Sequence, residues 1–312
     1  MPKDIFPLNK PGCLPRYFQF AALLCAGCTV LASWAGTESK PKPEYGTPDQ
    51  HEVHVVSYRN GAPTGAPLAL FSKASSPEAI VLTRDAGSFK AGQTLLYFVD
   101  FSQWDGRPHT EFMAMVASEN GLKFGPKNRL VINPRQVGDL ATDVSLVQLA
   151  DGRLRIYFMT PGSDRDHRSL RSAIGTDGIH FEVEPAMEFQ AAGNPEVFLQ
   201  GNQWVMLISD YRNHQSDIAT SLDGLHWRLT SSKIPGSGVG VLIPNQGGGK
   251  AMVFAENRGI QALDWNPNSL STSASAAFRP FQIDGAIAAD PSPVFQKDGT
   301  VSVYFKYQNM RR

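Results

Sequence analysis

The residues of this chain best suited to chemistry are acids at repeated positions: Glu78 in Ser76-Pro77-Glu78, Asp143 in Asp143-Val144-Ser145, Glu196 in Asn194-Pro195-Glu196 and Asp290 in Asp290-Pro291-Ser292. Each opens an apolar run rich in β-branched and aromatic residues, which predicts a strand. Side chains alternate along a strand, so the first and third residues of each motif point the same way. If the four strands share one axis, the four acids converge on one funnel. Crowded carboxylates repel one another, and at least one is forced to keep its proton. A proton-bearing acid beside an ionised carboxylate is the pair that glycosidic cleavage uses.

The elements that place these acids follow from the repeat. Each start motif leads into a turn, at Asp85-Ala86-Gly87, Asp151-Gly152, Gly201-Asn202 and Asp298-Gly299. A second apolar run follows, at Leu95-Leu96-Tyr97-Phe98, Arg155-Ile156-Tyr157-Phe158, Val205-Met206-Leu207-Ile208 and Val303-Tyr304-Phe305. Three copies continue to a closing turn followed by an aromatic residue, Asn120-Gly121 with Phe124, Asp177-Gly178 with Phe181 and Asp223-Gly224 with Trp227. Asp-Gly or Asn-Gly between alternating runs marks a hairpin. A fainter copy spans Val239 to Trp265. Repeats of roughly 45–50 residues with four strands each predict a five-bladed β-propeller, four antiparallel strands per blade. The last copy stops near Tyr307 after two strands. Val53–Tyr58 and Leu68–Phe71 are predicted to complete it and remove a free sheet edge.

In that layout the second strand returns to the face where the first begins. Asp100, Asp210 and Lys306 end second strands there, and the adjoining loops supply Trp104, Arg107 and His109, then Arg165 and His167, then Tyr211 and Arg212. Trp104 and Tyr211 suit stacking on a sugar ring. His109, His167 and His214 recur in one loop type, but their spacing forms no metal-ligand motif. The predicted set holds no metal and no cofactor.

The matching pieces Asp290-Pro291-Ser292-Pro293-Val294, Asn194-Pro195-Glu196-Val197, Asp151 to Phe158 and the Ser-x-Asp-Gly-x-x-Trp turn resemble the five-bladed propeller glycosidases, the clan of arabinanases, xylosidases, levansucrases and invertases. The resemblance covers nearly all of the chain after its leader. It implies Glu78 or Asp100 as base, Asp143 as an orienting acid and Glu196 as general acid. The shared face of strand ends and loops, read from the repeat itself, makes Trp104, Arg107, His109, Arg165, His167, Asp210, Tyr211, Arg212, Asp290 and Lys306 the expected substrate-binding set. Two positions differ from the clan. Ser76 stands where the clan carries Asp, and Glu196 follows Pro195 where the clan's acid precedes the proline.

Composition bounds the partners. Lysine plus arginine and aspartate plus glutamate both number 29, so formal net charge is zero, which argues against nucleic acid as a ligand. All three cysteines, Cys13, Cys25 and Cys28, lie near the amino end, leaving the rest of the chain without a disulfide or thiolate. Residues 1–36 run from basic to apolar to small and read as an export leader. Ala-Gly-Cys at 26–28 resembles a lipoprotein box, so lipidation at Cys28 and cleavage near Ala35 are both open. Residues 37–52 read as a flexible spacer and 53–312 as the propeller. The predicted protein is an exported monomeric glycoside hydrolase acting on an oligo- or polysaccharide, touching a membrane only through a lipid anchor at Cys28. The rival reading is a non-catalytic propeller that binds glycan or protein through the same face.

Overall fold

The computed structural model describes residues 47–106, 110–138, 141–160, 168–185, 187, 189–191, 193–210, 212–242, 250–254, 259–275 and 279–310. The chain divides into two units, Met1–Pro43 and Glu44–Arg312, and everything below concerns the second. The leader and its three cysteines lie outside the described residues.

The described chain is an all-β propeller. Its helix amounts to a short 3-10 turn at Pro48–Gln50 and one α-turn at Arg135–Gly138. The first sheet contains Ala74–Val81, Thr94–Asp100, Phe112–Ser118 and Asn128–Arg129. The second is built on Thr142–Gln148, Leu154–Thr160, Arg168–Gly175 and His180–Val183. The third runs Pro195–Gln200, Gln203–Asp210, Gln215–Ser221 and Arg228–Pro235. The fourth runs Ser237–Leu242, Lys250–Phe254, Ile260–Asn266 and Ser271–Ala274. The fifth starts with Ala286–Phe295 and Val301–Asn309 and is completed from the amino-terminal side by His51–Arg59.

The uniform set of five four-stranded blades predicted from the repeat is not what the chain builds. The second sheet has six strands and the fifth has five. Val131–Asn133 pairs parallel to His180–Val183, and Phe189–Ala191 pairs with Arg168–Gly175. These are three-residue strands with no alternating pattern long enough to be read from sequence. His51 is already in a strand, inside the segment read as spacer.

The closing strand behaves as the pattern predicts. His51 to Tyr58 pairs antiparallel with Gln308 to Val301, and Leu68–Ser72 adds on its other side. This covers the edge that Val301–Asn309 would otherwise expose.

Five apolar clusters fill the seams between neighbouring sheets. Leu95 and Met115 of the first sheet meet Leu146, Ile156 and Phe181 of the second, and Phe198 and Leu207 of the third meet Leu263 and Trp265 of the fourth. Val53 and Val55 of the closing strand pack with Leu96 and Phe98 of the first sheet. Most of these side chains are essentially inaccessible, which is where a chain without described cysteines must draw its stability.

The Asn-Gly and Asp-Gly turns also join sheets. The hydroxyl of Tyr97 donates to the Gly178 carbonyl at 2.8 Å, Tyr157 to Gly224 at 3.0 Å and Tyr304 to Gly121 at 2.7 Å. The three glycines have φ of 74°, 75° and 69°, a left-handed geometry that suits glycine. Each buried phenol thus finds its partner on the next sheet, and burial pushes the phenol pKa of all three upward.

Candidate active site at the propeller axis

The innermost strand of each sheet lines the axis, and in four of them the start is bulged. In the first sheet Ser75 faces Val99 and Glu78 faces Tyr97, so Ser76 and Pro77 together oppose Phe98. Register shifts of the same kind fall at Asp143-Val144, Gly238-Val239 and Asp290-Pro291. The first bulged residue is left-handed each time, with φ of 48° at Ser76, 50° at Asp143, 58° at Gly238 and 50° at Asp290. Non-glycine residues held there carry about 1–3 kcal/mol of strain, which concentrates at functional sites. The strict alternation assumed from sequence is therefore broken where the acids sit, because two residues oppose one.

The acids nevertheless meet. Glu78, Asp143, Glu196 and Asp290 line one axial pit together with Ser76 and Asn194. The pit is small, about 30 Å³, close to the share of one water in the liquid.

Below it, the third residues of the motifs form a chain of bonds around the axis. Glu78 Oε1 accepts from Leu146 N at 3.1 Å, Ser145 Oγ from Val197 N at 2.9 Å and Glu196 Oε1 from Val241 N at 2.9 Å. Ser292 Oγ accepts from Ala79 N at 2.8 Å and donates to Glu78 Oε2 at 3.1 Å. At the remaining junction the donor position is Pro293, which has no N–H, and the acceptor position is Gly240, which has no side chain. A Cβ on Gly240 would sit 1.8 Å from the Pro291 carbonyl oxygen.

Burial governs the charges. Burial pushes the Glu78 carboxyl up to about 7, against the lowering effect of its bonds from Leu146, Ser292 and Ser145. Glu196 is raised well above the usual carboxylate range, first by burial and then by Glu78 beside it. The pair therefore holds a proton at neutral pH.

Asp290 is ion-paired to Lys306 at 2.5 Å. Beside them lies His51, which sequence reading did not single out. Its Nδ1 is 3.3 Å from Ser75 Oγ, and burial together with Lys306 pushes its pKa down to about 4, leaving a neutral imidazole. The signal was a histidine at the start of the closing strand, whose register against Gln308 could be read only once that pairing was known.

The other predicted residues lie elsewhere. Asp100 is 1 % exposed and does not line the pit; its Oδ2 accepts from Lys127 Nζ and its Oδ1 from Ser102 N, both at 2.7 Å. Strand ends set on one face do not by themselves reach the axis, and this acid is held by its own sheet. Asp210 accepts from Arg212 N, Asn213 N and Asn213 Nδ2, so it fastens its own loop rather than the pit. Despite partial burial, those bonds keep its carboxyl below the usual range. Trp104 packs edge-on to Phe101 against the seam between the first and second sheets. Arg107, His109, Arg165, His167 and Tyr211 lie outside the described residues. His214 is exposed, and among the described residues no three His, Cys, Asp or Glu are grouped to hold a metal ion.

No family model matches the sequence, and no curated protein matches it. Solved structures do share its fold. A fructofuranosidase from Schwanniomyces occidentalis complexed with fructose superposes with a TM-score of 0.54 at 14% identity, covering 81% of this chain and 54% of that one. Fructan 1-exohydrolase IIa from Cichorium intybus gives 0.54 at 10% identity over 83% and 57%. Zg3597, a family 117 glycoside hydrolase of Zobellia galactanivorans, gives 0.51 at 10% over 75% and 84%. The chain thus spans little more than half of the first two. The likeness is one of fold, and the fold is that of propeller glycoside hydrolases, the group the sequence motifs resemble.

Proposed function

We propose that the protein hydrolyses a glycosidic bond at the axial pit. One observation carries this reading. Four acids from four separate sheets meet at one point, and two of them form a buried pair that retains a proton at neutral pH. The protonated carboxyl of the Glu78–Glu196 pair serves as general acid, and Asp143 supplies the second carboxylate lining the same pit. Asp290 and Lys306 bind the sugar hydroxyls. A carboxyl separation of roughly 5–5.5 Å gives a covalent intermediate, and roughly 6.5–9.5 Å gives direct displacement by water. The substrate is an oligo- or polysaccharide, and the protein is exported as a monomer, lipidated at Cys28 or cleaved near Ala35.

A second reading, glycan or protein binding without turnover, is favoured by one observation. Glu78 and Glu196 each bond the neighbouring sheet's backbone, and the pit as it stands admits little more than a water. Fold alone does not choose between these.

Hydrolysis of model arabinosides, xylosides and fructosides tests the proposal. Glu196→Gln keeps the Oε1 acceptor for Val241 but cannot give up a proton as an acid. It is expected to abolish turnover and leave binding largely intact. Retained turnover removes Glu196 as the acid, and binding without turnover in the unsubstituted protein across the panel establishes the second reading.

A further inference from the structure

A second cavity, about 650 Å³, opens at the other end of the inner strands. Glu78 and Glu196 separate it from the pit, since both line both spaces. Its size falls within the usual range for small-molecule sites, roughly 300–1,000 Å³. We infer that this cavity binds a small organic cation, a primary ammonium carried on an apolar body.

The walls decide the body. Most of the lining residues are aliphatic or aromatic, Leu146, Val197 and Phe198 among them, and polar backbone atoms share the surface with them. Two of the chain's exposed large apolar side chains, Leu199 at 45% and Phe295 at 42%, stand among the lining residues.

The polar wall groups are already engaged. Gln148 Oε1 accepts from Thr83 N, Thr83 Oγ and Arg84 N, and its Nε2 donates to the Arg84 and Gly152 carbonyls. Ser292 bonds Ala79 N and Glu78. A sugar placed here would lose its water and gain few side-chain partners, which is costly. An alkyl or aryl group would instead gain about 25 cal/mol for each Å² it buries.

The floor decides the head. Among the described lining residues the only ionisable groups are Glu78 and Glu196, with no lysine, arginine or histidine. The first carboxylate oxygens already accept backbone N–H groups, yet each carboxylate oxygen has more than one acceptor site. Either carboxyl becomes a carboxylate on losing its proton, and a bound cation favours that form, so a donor bearing positive charge is complementary and an anion is excluded. The two readings share the Glu78–Glu196 pair but approach it from opposite sides, so ammonium binding without turnover, or turnover without ammonium binding, separates them.

Calorimetric titration of the full chain at pH 7 with hexylammonium, 1-hexanol and hexanoate tests it, since the three share a body and differ in the head. Hexylammonium is expected to bind at least about tenfold more tightly than hexanol, with hexanoate weakest. Glu196→Gln should bring hexylammonium down to the level of hexanol. Leu199→Trp, at a half-exposed site that folding tolerates, should weaken hexylammonium and hexanol alike and leave turnover of any glycoside unchanged. Hexanoate binding as tightly as hexylammonium, an unchanged ammonium affinity in Glu196→Gln, or no binding of any of the three up to about 10 mM overturns the inference. If Glu196→Gln does not fold, the ranking of the three heads and the Leu199→Trp result decide.

Discussion

At the scale of single residues, the acids of the axis carry two duties at once. Glu78 and Glu196 hold neighbouring sheets by accepting backbone N–H groups, and the same burial that makes those bonds firm makes their ionisation expensive. The consequence is a pH dependence with a defined direction. Glu78 rises from an ordinary 4.5 to about 7 in the folded protein. Its contribution to stability is complete below pH 4.5 and is lost as pH climbs through 7. His51 works in the opposite sense, falling from 6.5 to about 4, so its contribution is complete above pH 6.5 and is lost as pH falls through 4. Between pH 6.5 and 8 the His51 contribution is already complete, and of these two groups only Glu78 still changes. Thermal midpoints of the unsubstituted protein should decline across that window, and those of Glu78→Gln should decline less. Equal slopes for the two would show that Glu78 is not the titrating group. Sequence placed Glu78, Asp143, Glu196 and Asp290 in one pit because equivalent repeat positions must meet at an axis. It misplaced Asp100 and Asp210, whose carboxylates are taken by a lysine and by loop amides that no spacing rule reveals.

At the scale of strands and turns, the sheets are joined by bonds whose two halves lie far apart in the chain. The tyrosine of a second strand and the glycine of the next sheet's closing turn are separated by 81 residues for Tyr97 and Gly178. Tyr157→Phe removes one such bond and strands a buried carbonyl, so a loss of about 1–3 kcal/mol is expected in denaturant unfolding. A loss no larger than that of an exposed tyrosine would show the bond to be idle. Gly240 is the other sensitive point. With the Pro291 carbonyl 1.8 Å from where a Cβ would lie, Gly240→Ala must push the fourth and fifth sheets apart. Its midpoint should fall much further than that of Gly201→Ala, where a Cβ meets nothing within 4 Å although the backbone itself is left-handed. The turns themselves were legible, since Asn-Gly and Asp-Gly have few alternatives. The bulges were not, because a left-handed Asp143 or Ser76 differs from a regular strand residue only in its local dihedral angle.

At the scale of the whole propeller, closure is the feature that sequence anticipated most fully. The last repeat ended two strands short, and an alternating stretch near residue 55 was left over. His51–Arg59 does fill that place. Taking it away exposes the length of Val301–Asn309 as a free edge. A chain lacking residues 47–72 should therefore run as aggregates in size-exclusion chromatography, where the intact protein is expected to run as a monomer. A monodisperse truncated chain would mean that the seam packing alone protects the edge. The two short extra strands of the second sheet escaped sequence reading for the reason given above, since three residues carry no period.

The same pairing also orders events in time. Val55 sits opposite Tyr304, so the final registry joins parts of the chain about 250 residues apart. Contacts of such long separation are slow to form. On a ribosome, the early strand has no partner to zip onto until about 250 further residues have emerged, and it must wait in that interval with Val53, Val55 and Val56 uncovered.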